Sequence, residues 1–78
     1  MIAMQADKEL DTCGLNCPLP ILKTKKILND MASGQILKVV ATDPGSLRDF
    51  EAFARQTGHE MVEQVTQGDR YEFYLKRR

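Results

Sequence analysis

The chain has 78 residues, 42 % of them hydrophobic and 28 % charged, with eleven basic side chains balancing eleven acidic ones. That length leaves room for one core of modest stability and none for a second, and the composition is that of a globular chain rather than a disordered one. Zero formal net charge argues against a dedicated nucleic-acid binder, whose affinity comes chiefly from neutralising phosphates, although a local basic patch remains open.

Residues 1–7 open with a few apolar positions, too few for a signal peptide or for a membrane span of about 20 apolar residues. They read as a flexible N-terminal lead to a single domain over 8–76, in a cytoplasmic chain without a membrane contact. In that compartment Cys13 and Cys17 are expected as reduced thiols with chemistry rather than as a structural disulfide.

Lys8 to Thr12 reads as a short first strand, and Gly14 marks a bend after it. The first helix is expected from about Pro18 to Met31, because proline is tolerated in a first turn whose N–H groups have no intrahelical partner. Cys17 then falls at the N-cap, Pro18 at N1 and Pro20 at N3. Thr24, Ile27, Leu28 and Met31 form an apolar stripe at helical spacing with Ile21 beside it, while Lys23, Lys26 and Asp30 face away. Gly34 is the expected stop.

Ile36 to Thr42 is nearly continuous in apolar and β-branched residues and reads as a buried central strand. Asp43-Pro44-Gly45-Ser46 follows as a turn, and Ser46 with Asp49 resembles a capping box that starts the second helix. Leu47, Phe50, Phe53 and Ala54 form its apolar face, and Gly58 ends it. Glu60 to Thr66 and Arg70 to Lys76 form a hairpin around Gly68-Asp69. In the last strand Tyr71, Phe73 and Leu75 alternate with Glu72, Tyr74 and Lys76, so helices are expected on one face of the sheet only. The fold class is α/β in the α+β sense, a two-layer β-α-β-α-β-β sandwich. It has a mixed four-stranded sheet and both helices on one face, since strand–helix–strand crossovers are right-handed.

By its position alone Cys17 reads either as a small buried hydrophobe or as the centre of the chemistry. A helix N-terminus lowers a thiol's pKa, but Pro18 and Pro20 have no N–H to offer, which leaves Leu19 and Ile21 as donors and a modest depression as the expectation. The prolines also hold the sulfur at one exit direction. Cys13 reads either as a strand-end filler or as a second thiol that resolves or closes a disulfide with Cys17. His59 reads as an exposed or capping residue, and two cysteines with one histidine lack the paired spacing of a zinc site, so no metal is expected. Lys23, Lys25 and Lys26 make a basic side of the first helix, either simply solvated or a docking surface that Asp43, Arg48 and Asp49 extend. Lys76-Arg77-Arg78 reads as a frayed tail.

Asp11-Thr12-Cys13-Gly14-Leu15-Asn16-Cys17-Pro18-Leu19-Pro20 resembles the signature of the TusA/SirA family of small sulfur-carrier proteins, Gly-Leu-x-Cys-Pro-x-Pro, in which Gly14, Leu15, Pro18 and Pro20 position the cysteine. The likeness continues through Lys25-Lys26, Gly34, Asp43-Pro44-Gly45, Arg48-Asp49 and Thr57-Gly58-His59, and spans Leu10 to Leu75. It implies the same two-layer fold and a sulfurtransferase-like carrier needing no cofactor. Cys17 accepts a sulfane sulfur as a persulfide from a donor such as a cysteine desulfurase. It then passes the sulfur to an acceptor protein with a reactive cysteine, for tRNA 2-thiouridine synthesis or another sulfur relay. The family commonly has arginine or another residue at position 13, so the resemblance lends Cys13 no role. A monomer is expected. Two other functions remain open on the residues: an interaction or regulatory module of this fold without sulfur transfer, and a Cys13/Cys17 dithiol redox protein.

Overall fold

A computed structural model describes residues 6–78. Positions 1–5 of the expected lead lie outside the described residues. Asp7, its last member, is held to the start of the second strand: its N–H donates to the Ile36 carbonyl at 2.8 Å, and its carboxylate accepts the Ile36 N–H at 2.8 Å.

The element order is β1 (Lys8–Thr12), α1 (Leu19–Asn29), β2 (Ile36–Ala41), α2 (Ser46–Thr57), β3 (Glu60–Gln67) and β4 (Arg70–Lys76). The strands lie side by side as β1-β2-β4-β3, with β1 parallel to β2 and the other pairs antiparallel. This is the mixed four-stranded sheet that the pattern of apolar residues implies. The two most apolar strands occupy the centre, where both neighbours shield them.

Both helices cover the same face. Leu37, Val39 and Ala41 of β2 and Phe73 and Leu75 of β4 alternate toward it, and they bury with Leu28 of α1, Phe50 and Phe53 of α2, and Met31. Phe50 stacks on Phe73 with centroids 4.5 Å apart and meets Phe53 edge-on at 6.5 Å, the two arrangements that aromatic quadrupoles favour. Ile21, Ile27, Leu47 and Ala54 pack at the margin.

The open face is drier than strict alternation implies. Tyr74 and Val40 point away from the helices, yet they are only 8 % and 2 % exposed. Lys38 is the reason for Tyr74: its ammonium lies 5.9 Å from the Tyr74 ring centroid and within 3.7 Å of Glu9 and 3.8 Å of Glu72, so its stem lies along the sheet.

Three expectations at element ends need correction. Helix α1 ends at Asn29 with Asp30 as its C-cap, because the Asp30 and Met31 N–H groups turn back to Ile27 and Leu28. Gly34 therefore is not the helix cap. At φ +89° it turns the chain into β2 and donates its N–H to the Arg77 carbonyl at 2.8 Å. Ser46 is the first residue of α2 rather than its cap, which is Gly45, and no side-chain capping bond forms. The expected frayed tail is also tied down. Arg77 donates its N–H to Gln35 O at 2.8 Å and Nε to Leu28 O at 2.7 Å, and the Arg78 N–H donates to His59 Nδ1 at 3.2 Å. By contrast Gly58 does end α2, at φ +84°, with its N–H on the Ala54 carbonyl.

Candidate functional site

The parallel pairing of β1 with β2 is reinforced by one side-chain bond at the strand ends and continues past them as two bonds between the loops that follow. Thr12 donates Oγ1 to Val40 O at 2.7 Å, the Gly14 N–H donates to Thr42 Oγ1 at 2.9 Å, and the Cys17 N–H donates to Asp43 Oδ2 at 3.0 Å. Gly14 makes this path with φ +83°, which a side chain would strain. Leu15, half-buried, closes a turn by donating its N–H to Thr12 O at 3.1 Å.

Asp43 is the hub on the other side. Its second oxygen accepts the Gly45 N–H at 3.1 Å and its carbonyl accepts the Ser46 N–H at 2.9 Å, an Asx turn nested in a β-turn at the head of α2. This carboxylate holds the N–H of Gly45, the N-cap residue, and no side chain caps the first turn of α2; Ser46 Oγ is buried without a protein partner.

Cys17 stands one residue farther from α1 than expected. The N-cap is Pro18, with φ −98° and ψ 15°, so Pro20 is at N2 and buried while Pro18 is exposed. The Cys17–Pro18 peptide is cis. The displacement has a local cause: the Leu19 N–H donates to Asn16 O at 2.9 Å, and the first helical bond runs from the Leu22 N–H to Pro18 O at 3.0 Å. The Leu19 N–H is thus already engaged and does not serve the sulfur.

The thiol's electrostatics reverse the expected depression. Interaction with the Asp49 carboxylate pushes Cys17 above the usual thiol range, with desolvation and the charges of Asp49 and Asp43 adding to it. Placement near a helix start is outweighed by two carboxylates at the head of the neighbouring helix. Asp49 enters the sequence reading only as a capping partner and a surface charge. Its approach to Cys17 depends on how α1 and α2 pack, which no local pattern encodes.

Cys17, Asp43, Pro44, Gly45, Leu47, Arg48 and Asp49 line one open cleft of about 650 Å³. It brings together Cys17 with Asp43 and Arg48, two of the proposed docking residues. Lys23 and Lys26 are exposed on α1 but do not line it. Leu19 and Leu22, 45 % and 55 % exposed on the first turns of α1, form an apolar step outside its buried stripe.

Cys13 is exposed, in no disulfide, and outside the cleft. Its N–H donates to Asp11 Oδ1 at 2.9 Å, and the Asp11 carboxylate also pushes its thiol above the usual range. His59 is half-buried against Phe53, ring centroids 5.9 Å apart, at the other end of α2 from the cleft. Among the described residues no group of three or more His, Cys, Asp or Glu side chains could hold a metal ion, and no helix is long and apolar enough to cross a membrane.

Comparison with known proteins adds to this geometry. The family described as Sulfurtransferase TusA matches residues 8–77. The chain is 59 % identical over 71 residues to the sulfur carrier protein TusA of Allochromatium vinosum, covering 91 % of this chain and 93 % of that one. It is 46 % identical over 74 residues to the putative sulfur carrier protein YrkI of Bacillus subtilis, covering 95 % and 99 %. Among solved structures, a SirA-like protein of Desulfitobacterium hafniense superposes with a TM-score of 0.78, covering 88 % of this chain and 95 % of that one. At 21 % identity that likeness speaks for the fold alone.

Proposed function

The chain belongs to the TusA family of sulfur carriers, and from that premise we propose that Cys17 is the residue that carries the sulfur, as a persulfide. One observation carries the assignment: Cys17 is an exposed, free thiol lining the cleft, next to the N-cap Pro18 of α1, in the Cys-Pro-x-Pro run. Cys13 is equally exposed but lies outside that cleft.

The chemistry is thiol exchange. A donor protein, of the cysteine desulfurase class, presents a persulfide. The Cys17 sulfur attacks its outer sulfur, a new S–S bond forms, the donor's S–S bond breaks, and the donor cysteine leaves as a thiolate that takes up the Cys17 proton. In the second step a cysteine of the acceptor attacks the terminal sulfur on Cys17, which leaves as a thiolate. Sulfur moves at constant total oxidation level, so no oxidant, metal or cofactor takes part. Gly14 and Leu15 shape the loop before Cys17, while Pro18 and Pro20 stiffen the turn after it. Lys23, Lys26 and Arg48 supply charge for docking donor and acceptor. The relay works in the reducing cytoplasm on a monomeric carrier, and its sulfur ends in tRNA 2-thiouridine or in another relay product.

The test is loading with a cysteine desulfurase and cysteine, read by mass. Wild type and Cys13→Ser gain one sulfur atom, and Cys17→Ser gains none. Loading of Cys17→Ser with loss in Cys13→Ser would overturn the assignment.

A further inference from the structure

We propose that Asp43 is the positioning residue of the sulfur carrier, fastening the backbone of Cys17 to the head of α2 so that Sγ meets each partner from one fixed point. This rests on Cys17 as the sulfur-bearing residue and goes beyond it by assigning what holds that residue in place. Asp43 also stands in the sequence reading as a docking charge, and the structure gives its carboxylate a different occupation. One oxygen accepts the Cys17 N–H at 3.0 Å from 26 positions away, and the other accepts the Gly45 N–H at 3.1 Å. Both oxygens are thus engaged inside the chain.

The need for such a clamp follows from the location of Cys17. It lies beyond β1 and before the first residue of α1, so neither element's hydrogen-bond ladder fixes its φ and ψ. Thr12 and Gly14 are fixed by their bonds to Val40 and Thr42, and the Cys17 bond to Asp43 is the last of this series. Without it the segment from Leu15 to Pro18 is held by the turn bond into Thr12 and by the start of α1 alone. Charge-assisted bonds to a backbone N–H are among the stronger ones available to a loop. A reacting atom misplaced by about 1 Å can cost on the order of 100-fold in rate.

Asp43→Asn and Asp43→Ala separate the clamp from the charge. Both remove the same negative charge beside the thiol, so both shift the pH midpoint of Cys17 alkylation downward by the same amount. Asn retains one acceptor oxygen and Ala retains none. We expect desulfurase-driven loading to slow by roughly 10- to 100-fold in Asp43→Ala, the scale of a displaced reacting group, and much less in Asp43→Asn. Hydrogen exchange at the Cys17 amide should accelerate in the same order. Loading of Asp43→Ala at the wild-type rate, or equal slowing in both variants, would overturn the proposal. A wild-type protein that gains no sulfur would instead sink the assignment of Cys17, and amide exchange then decides the clamp by itself: an unchanged Cys17 amide in Asp43→Ala overturns it.

Discussion

Arg77 donates Nε to the carbonyl of Leu28 at 2.7 Å, so a side chain 49 positions away closes the C-terminal turn of α1. The cation sits where the helix dipole is negative and where carbonyls lack intrahelical partners. Arg77→Ala should therefore lower stability by about 1–2 kcal/mol, the lower part of the range for charged donors because the site is only half-buried. In a domain of this size each kcal/mol lowers Tm by about 4–8 °C, so thermal unfolding reads it easily. A Tm equal to wild type would mean that the bond contributes nothing.

The Phe50–Phe73 stack joins α2 to the central strand β4, and both rings are fully buried. Phe50→Ala should cost about 3–5 kcal/mol through lost contacts and the cavity left behind. That is roughly half the stability of such a domain at about 0.1 kcal/mol per residue. Urea unfolding is expected to show both Phe50→Ala and Phe50→Leu folded with reduced midpoints, that of Phe50→Ala the lower.

Asp49 raises the Cys17 thiol, so at neutral pH the wild-type protein holds less thiolate than a free cysteine would. Asp49→Asn removes the carboxylate and should move the alkylation midpoint toward lower pH, with faster alkylation at neutral pH, measured in a Cys13→Ser background. An unmoved midpoint would show that Asp49 does not reach the sulfur.

His59 has its pKa lowered, by burial first and then by Arg77 and Arg78. The unfolded chain therefore binds a proton at a higher pH than the folded one. Stability is fully present above the ordinary histidine range and declines as pH falls through it. His59→Gln should flatten that limb of the stability–pH curve between pH 5 and 7, about the window where histidine titrates. If wild type and variant lose stability in parallel, the dependence belongs to other groups.

Lys23 and Lys26 stand exposed on α1, outside the cleft but on the helix that Cys17 precedes. Reversing both to Glu should slow association with an acidic donor or acceptor roughly 10-fold at low salt, with the gap closing as salt rises. Stopped-flow binding at two ionic strengths checks this. A salt-independent loss would point to packing instead of steering.

Much of the fold is legible in the residues, because its decisions are local. Alternation of Tyr71, Phe73 and Leu75 announces a sheet covered on one side, Phe50 and Phe53 name the buried face of α2, and Gly58 ends that helix by its freedom at positive φ. The site is legible only as far as Cys17 and its prolines. The bond from Cys17 to Asp43 joins residues 26 apart, and the approach of Asp49 depends on how two helix heads meet. The thiol reading fails for this reason: counting N–H groups near Cys17 is a local exercise, while the carboxylates that dominate arrive from another element. Ser46 illustrates the same limit, since the N-cap falls on Gly45, whose N–H the Asp43 carboxylate accepts, and no side chain caps the turn.

The two bonds that lace the β1–α1 loop to the β2–α2 loop also govern the order of events in a relay. A swinging arm can visit two stations while both remain assembled around it. Cys17 has no such reach, because its backbone is fastened to Asp43 and its loop to Thr42. On the proposed assignment of Cys17 as the carrier, donor and acceptor occupy the same ground by turns, each leaving before the other arrives. Throughput in such a queue is governed by how fast the first visitor departs, and a partner that binds too tightly is an inhibitor of the relay it serves.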